Sequence, residues 1–476
     1  MIEISFLLLF VMSLLAMAKW RWGFALCVLM AILQGPIRKL APDQPVYFVM
    51  FVAVVFAAML FGAFMKRVPL LPRSIAGWRE NVATPFNLFL MLILIQAAHS
   101  LFTLESFVIT GIGLLSYLAP IPAIVLAYQF ALRQGIEGVR RWMRFYVVVA
   151  TLAIATVYLE YLGFDWSLLG QVGSDMLISY GDSQYKGNSG IFRATEIAAW
   201  HAATIACFSF LLFLGKRFTV SRIILALLFI AFLVGLGALT GRRKMIIQVA
   251  IFLSTYIGLI TWFRRGNGKL AVLAFVIGII SYIGVAGWLA PDPGDAKYAA
   301  LSNSYVAENN TNIISHRTQT VFAEIPGRIK RLGVEPISWA VEEAGWLGAG
   351  VGVGSQGAQH FGAKGSGAAE GGLGKFTLEL GVPGLILFVW LFTAFARYVW
   401  RLLAFISHNA PAYATLAYGL VSFILANVAA FSVATQAYGD VFILLTLGLS
   451  LGFLLALPTL SQMHAQSKPN SDHMRS

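Results

Sequence analysis

Charge is what this sequence has least of. Only 12% of its 476 residues are charged, while 59% are hydrophobic and the mean hydropathy is +0.78. Ordinary soluble domains carry about 25% charged residues, so that class is excluded. Cysteine is nearly absent: Cys27 and Cys207 each sit inside an apolar run. Two such thiols exclude a disulfide framework or a cysteine-rich metal centre and read as small buried hydrophobes. The start of the chain has no basic segment followed by a small-residue cleavage site, so no cleaved leader is expected. No phosphate-loop lysine follows the glycine-rich stretch near 350, and no strand precedes it, which argues against a nucleotide fold.

What is present is apolar sequence in long runs. About thirteen of them lie near 3–18, 22–35, 46–65, 84–102, 107–131, 145–163, 194–214, 220–240, 245–263, 270–290, 376–396, 409–431 and 438–458. Most are long enough to cross roughly 30 Å of hydrocarbon as helices. The expectation is an all-α polytopic membrane protein with about 13 (12–14) transmembrane helices and one long outward-facing loop, partly helical. The chain divides into an N-terminal bundle over 1–290, the outward loop over 291–375, C-terminal helices over 376–458 and a cytoplasmic tail over 459–476 expected to be disordered. Basic residues set the orientation, because cytoplasmic loops retain Lys and Arg. Loops 66–83, 132–144, 215–222, 264–269 and 397–408, the Lys19/Arg21 turn and the tail fall on one side. Together they hold 20 basic residues and three acids, Glu80, Glu137 and Asp472. That side is cytoplasmic, and 164–193 and 291–375 face outward. The net charge of +13 then records topology, and no nucleic-acid partner is needed to explain it.

One cluster runs against the charge rule. Thr240-Gly241-Arg242-Arg243-Lys244 places three consecutive cations at the outward end of a helix hairpin. Cations at such depth either snorkel to anionic headgroups or receive an anionic ligand. Arg193 ends the outward segment 164–193, whose Asp, Gly, Ser and Tyr content suits sugar hydroxyls and equally an ordinary surface loop. Thr195 and Glu196 suit helix capping, and Trp200 and His201 an interfacial aromatic belt. Gln96, His99, Glu105 and Glu160 lie near outward turns, either lining a polar cavity or simply ending helices. In the long outward loop, a helical stretch around 296–332 carries His316, Arg317, Glu324, Arg328, Lys330 and Arg331; Arg328 and Arg331 can share one face. Gly348, Gly350, Gly352 and Gly354 then alternate, a pattern that lets backbone N–H groups approach an anion. Glu370 follows among glycines. The plain alternatives are a loop carboxylate for Glu370, a solvated helix residue for Arg328, and loop histidines for His316 and His360. No D-x-D pair lies in the outward segments, so no metal and no cofactor is expected.

The order of these features carries a resemblance. An Arg cluster after a span (TGRRK), Gly327-Arg328 in a long outward loop, G-x-G-x-G, and E-x-G-x-x-G (Glu379, Gly381, Gly384) leading into a span resemble the bacterial O-antigen polymerase and ligase superfamily. Within it, the likeness is to the exopolysaccharide repeat-unit polymerases, over roughly 190 to 400. The resemblance implies an integral-membrane glycosyltransferase of the bacterial inner membrane whose site faces the periplasm. It would take glycan from a polyprenyl-pyrophosphate carrier to a second carrier-linked glycan, with membrane lipid, a chain-length regulator and a flippase as partners. Carried over, Arg242 or Arg243 and Arg328 would hold the pyrophosphate, with Arg193 and Arg317 in support. Family members usually have a His nine residues before the E-x-G motif; this chain has Glu370, a departure that argues against a plain ligase. The chemistry stands beside the likeness. Outside the cytoplasm no nucleotide sugar is at hand, so an activated donor must be membrane-anchored. Pyrophosphate departure needs charge neutralisation, which arginine forks supply, and the attacking hydroxyl needs a base, for which Glu370 is the best-placed carboxylate. The rival readings are a ligase and, in another class, a transporter or flippase of an anionic lipid-linked glycan.

Overall fold

The computed structural model describes residues 2–104, 106–170, 172, 178–180, 183–185, 187–213, 220–242, 244–265, 333–355 and 371–466. The protein is a helical polytopic membrane protein. Among the described residues nine helical segments are long and apolar enough to span a bilayer, and Ile2–Ala18 and Ile224–Ala238 are shorter apolar helices. In chain order the helices are α1 (Ile2–Ala18), α2 (Trp20–Leu40), α3 (Phe51–Met65), α4 (Trp78–Asn81), α5 (Ala83–Leu104), α6 (Phe107–Leu118) and α7 (Pro120–Tyr161). After them come α8 (Thr195–Phe213), α9 (Val220–Ala238), α10 (Lys244–Arg265), α11 (Glu335–Ala344), α12 (Gly372–Asn409), α13 (Pro411–Val433) and α14 (Val441–Gln466). A small hairpin, β1 (Ile178–Tyr180) with β2 (Ser183–Tyr185), lies between α7 and α8 and pairs antiparallel with Ile178 opposite Tyr185. Proline at the first turn of α7 and α13 starts a helix where its missing N–H is no loss. Ser106 caps α6 by accepting from the Ile109 N–H at 3.3 Å. The apolar segment near 270–290 lies outside the described residues.

Two apparently continuous helices are reversals. The helical segment Phe107–Tyr161 counts 55 residues. Straight, it would reach about 82 Å at about 1.5 Å per residue, far more than a bilayer needs. Gly135, at φ 65° and ψ −174°, breaks it. Phe130 before the break and Trp142 after it both pack on Phe453, with ring centroids 6.0 and 5.5 Å away. Twelve residues of straight helix would separate them by about 18 Å, so the chain turns back. Gly381 repeats the geometry in α12 at φ 68° and ψ −172°, and Phe376 and Phe388 on its two sides lie 4.5 Å apart. Each reversal uses G-x-x-G. The first glycine adopts a left-handed φ that side chains avoid. A Cβ on the second, Gly138 or Gly384, would overlap the side chain of the residue before the first, Gln134 or Leu380.

Two expected loops are helical instead. Residues 132–144 are helical on either side of Gly135, so Arg133 sits beside the turn while Arg140, Arg141 and Arg144 lie in the helix that follows it. Residues 397–408 belong to α12. The tail boundary expected at 459 falls inside α14, which continues to Gln466.

Packing is densest where α14 lies between the two arms of α7. Gly448 faces the Pro120 carbonyl, and Gly452 faces that of Ile124 so closely that an added Cβ would overlap it. This is the small-xxx-small spacing that lets helix backbones approach in a bilayer, where burying apolar surface gives little drive. At the Gly135 end, the Arg133 guanidinium lies 5.8 Å from the Trp20 ring centre. The C-terminal ends of α2, α7 and α13 and the starts of α8 and α14 meet at the opposite end, and there polar residues gather.

Candidate functional site

The gathering point is the segment 187–193 and the first turn of α8. The segment lies flat on its neighbours because two glycines permit it. A Cβ on Gly35 in α2 would overlap the Ile191 carbonyl, and one on Gly190 (φ +57°) would overlap the Thr156 hydroxyl. The Glu160 carboxylate, at the end of α7, accepts from the N–H groups of Ser189 at 2.8 Å and Gly190 at 2.7 Å. Lys39, at the end of α2, donates to the carbonyls of Gly190 at 2.6 Å and Leu168 at 3.0 Å. Asn188 reaches the Leu239 carbonyl at 3.0 Å, joining the segment to the end of α9.

This clamp delivers Arg193 to Asp440. The guanidinium donates to Asp440 Oδ2 at 3.0 Å, and Gln34 of α2 donates to the same oxygen at 3.2 Å. Asp440 Oδ1 caps α14 by accepting from the Phe442 N–H at 2.9 Å. Asp440 is only 2% exposed, so its charge is answered by protein donors alone. Arg193 keeps an Nε–H that is buried and without a protein partner.

Arg242 approaches the same turn from the α9–α10 connection. Gly241 takes φ +71°, the left-handed turn that aims Arg242 back at α8. Its Nε donates to the Thr195 hydroxyl at 2.9 Å, and its terminal nitrogen pairs with Glu196 at 2.5 Å. Two arginines thus sit at the start of one helix, each aligned by a carboxylate. Such a pairing fixes the fork and leaves other N–H groups to a ligand. Thr195 and Glu196, read from sequence as capping residues, orient Arg242.

Beside this turn a small recess of about 30 Å³ is lined by Glu196, Trp200, Arg242, Gln248 and Tyr438, with alanines of α8 and α13 in its walls. Trp200 donates to Asn427 Oδ1 at 2.8 Å and Tyr438 to the Asn427 carbonyl at 2.9 Å, so both rings are fixed. Gln248, 2% exposed, has an Nε2 with no protein acceptor. His201, expected in an interfacial belt, is instead buried behind Trp200, with Nδ1 2.8 Å from the Tyr146 hydroxyl.

The glycine run does something else. Gly348, Gly350 and Gly352 all have left-handed φ, at 81°, 101° and 95°, and each docks on a different element. A Cβ on Gly348 would lie 2.5 Å from the Gly381 nitrogen, and one on Gly350 would lie 2.8 Å from Ser100 Cβ. On Gly352 it would overlap the Ile109 carbonyl. The amides of Ala349 and Gly350 donate to the carbonyls of Leu378 at 2.8 Å and Glu379 at 3.2 Å. Gly354 N–H donates to the Glu379 carboxylate at 3.0 Å, whose other oxygen accepts from the Tyr117 hydroxyl at 2.6 Å. Expected as an anion cradle, the run is a strap stitching the Gly381 turn to α5 and α6, and these three amides are already engaged.

Of the residues singled out in the sequence, Arg193 and Arg242 both lie at the start of α8, Arg193 on Asp440 and Arg242 in the wall of the recess. The helix on which the strap docks, α12, reaches the recess through its first residue: Gly372 packs on Phe431, whose ring centre is 5.4 Å from that of Tyr438. Arg243, Arg317, Arg328 and Glu370 lie outside the described residues. Lys39, Asp440 and Gln248 were not singled out, and Glu379 was quoted only as a motif letter. The available signal was the presence of ionisable groups at the outer ends of apolar runs, on the side poor in Lys and Arg. No protein-family model matches the chain, and no curated protein matches it.

Proposed function

We propose that the protein is an integral-membrane glycosyltransferase that polymerises carrier-linked oligosaccharide repeats on the outer face of a bacterial inner membrane. The observation that carries this reading is the placing of Arg193 and Arg242 at the start of α8, with Arg242 lining a recess walled by alanines and two fixed aromatic rings. Arginine forks at a helix N-terminus match a diphosphate, and the apolar surroundings match a donor anchored in lipid. The full architecture in this reading has thirteen spans, with 291–375 outside. Arg243, Arg317 and Arg328 join the diphosphate site, and Glu370 supplies the base. An acceptor hydroxyl oxygen attacks the anomeric carbon of the donor sugar, the bond to the carrier diphosphate breaks, and the hydroxyl proton passes to the Glu370 carboxylate. The arginines neutralise the departing diphosphate, so the reaction needs no metal and inverts the anomeric centre.

The test is reconstitution in proteoliposomes with polyprenyl-diphosphate-linked repeats. Wild-type protein yields chains of many repeats, whereas Glu370→Gln and Arg242→Ala yield single repeats only, each from protein that remains in the membrane. Chains of undiminished length from Glu370→Gln remove the catalytic assignment. Repeats carried across the bilayer without joining identify a flippase, and transfer only to a lipid or protein acceptor identifies a ligase.

A further inference from the structure

The tip between α11 and the glycine strap lies in the interval that the sequence assigns to the aqueous outer side, yet its surroundings are those of a membrane face. The Leu347 carbonyl accepts from Gln96 Nε2 at 2.6 Å, and the Trp346 carbonyl accepts from the Val382 N–H at 2.9 Å. Gln96 lies eight residues before the end of α5 at Leu104, about 12 Å along the axis. The turn is therefore held against the flank of a spanning helix, well short of its outer end. The strap then climbs the same helix, because Ser100, one turn on, donates to the Val351 carbonyl at 2.9 Å.

Both side chains at the tip point away from the protein: Trp346 and Leu347 are each 71% exposed. The side chains around their anchor points are exposed and apolar too, Leu94 and Ile95 on α5 and Ile386 and Val389 on α12. The tip continues the face that these two spans present. Its backbone fits that setting, since irregular chain at membrane depth must have its polar groups satisfied by protein. The carbonyls of 346, 347 and 351 and the amides of 349 and 350 all are. Exposed Glu342 and Glu343, one turn earlier in α11, hold the depth to the interfacial zone where Trp is favoured.

We infer that Trp346 and Leu347 insert into the outer leaflet, making 335–355 a lipid-anchored hairpin and not a free aqueous loop. The inference stands apart from the glycosyl-transfer reading, because any function would leave this tip at the same depth. It is tested on the full chain carrying Cys27→Ala and Cys207→Ala, in phosphatidylethanolamine–phosphatidylglycerol nanodiscs. Trp346→Cys and, separately, Leu347→Cys are spin-labelled, and their collision rates with oxygen and with a water-soluble nickel chelate are compared. Ile386→Cys provides the lipid reference and Glu343→Cys the water reference. The expected oxygen-to-nickel ratio at both tip positions falls with Ile386→Cys and is several-fold above Glu343→Cys. A ratio equal to that at Glu343→Cys overturns the inference. So do low collision rates with both reagents, which would mean that protein covers the tip.

Discussion

Replacing Asp440 by Asn probes the ion pair on which the arrangement of Arg193 depends. The substitution removes one negative charge from a side chain that is 2% exposed, and changes little else. Asn keeps the helix cap, since it accepts from an N–H about as well as Asp. What is lost is the charge facing the Arg193 guanidinium 3.0 Å away, whose side chain is 20% exposed. Removing one partner of a buried pair costs about 3–5 kcal/mol, mostly because the other charge stays buried and unanswered. The partial exposure of Arg193 sets the expectation near the lower end, about 3 kcal/mol. The assay is equilibrium unfolding in mixed micelles, run as a double-mutant cycle with Arg193→Met. If the pair is what matters, the double variant is more stable than the sum of the single losses implies, by about 2 kcal/mol. Losses that add to within about 0.5 kcal/mol would refute the reasoning and make Asp440 a helix cap alone. Arg193→Met should also abolish polymer formation in proteoliposomes.

The glycine strap yields a prediction of sign. Gly352→Ala destabilises by at least about 2 kcal/mol, because its left-handed φ and the Ile109 carbonyl both oppose a Cβ. Gly111→Ala, inside α6 with open space at its Cβ position, instead stabilises by about 0.5–1 kcal/mol. Melting temperatures of the two purified variants should move in opposite directions, and a common direction rejects the strap geometry. Tyr117→Phe leaves the buried Glu379 carboxylate one donor short and should lower stability by about 1–3 kcal/mol, measurable in the same unfolding assay. Gly135→Ala, where space is open but φ is +65°, should cost about 1–2 kcal/mol from backbone strain alone, a smaller loss than Gly138→Ala, whose Cβ meets Gln134.

Hydropathy along the chain determined that this protein is helical and crosses a membrane repeatedly, because a bilayer accepts only segments that satisfy their own backbone. It also located the cations Arg193 and Arg242, since a charge inside or beside an apolar run stands out in one dimension. Tertiary structure decided their partners. Asp440 lies 247 residues from Arg193 and 406 from Gln34, and no local pattern links those three positions. It decided as well that an alternating glycine run docks on Ser100, Ile109 and Gly381, with the amides of Gly350 and Gly354 bonded within the protein. Glycine permits both uses, and which one the chain adopts depends on what backbone lies within a few ångströms. Two reversals were legible only as basic or glycine-bearing stretches. That they turn without loops follows from the left-handed backbone of Gly135 and Gly381, a conformation composition allows and packing selects.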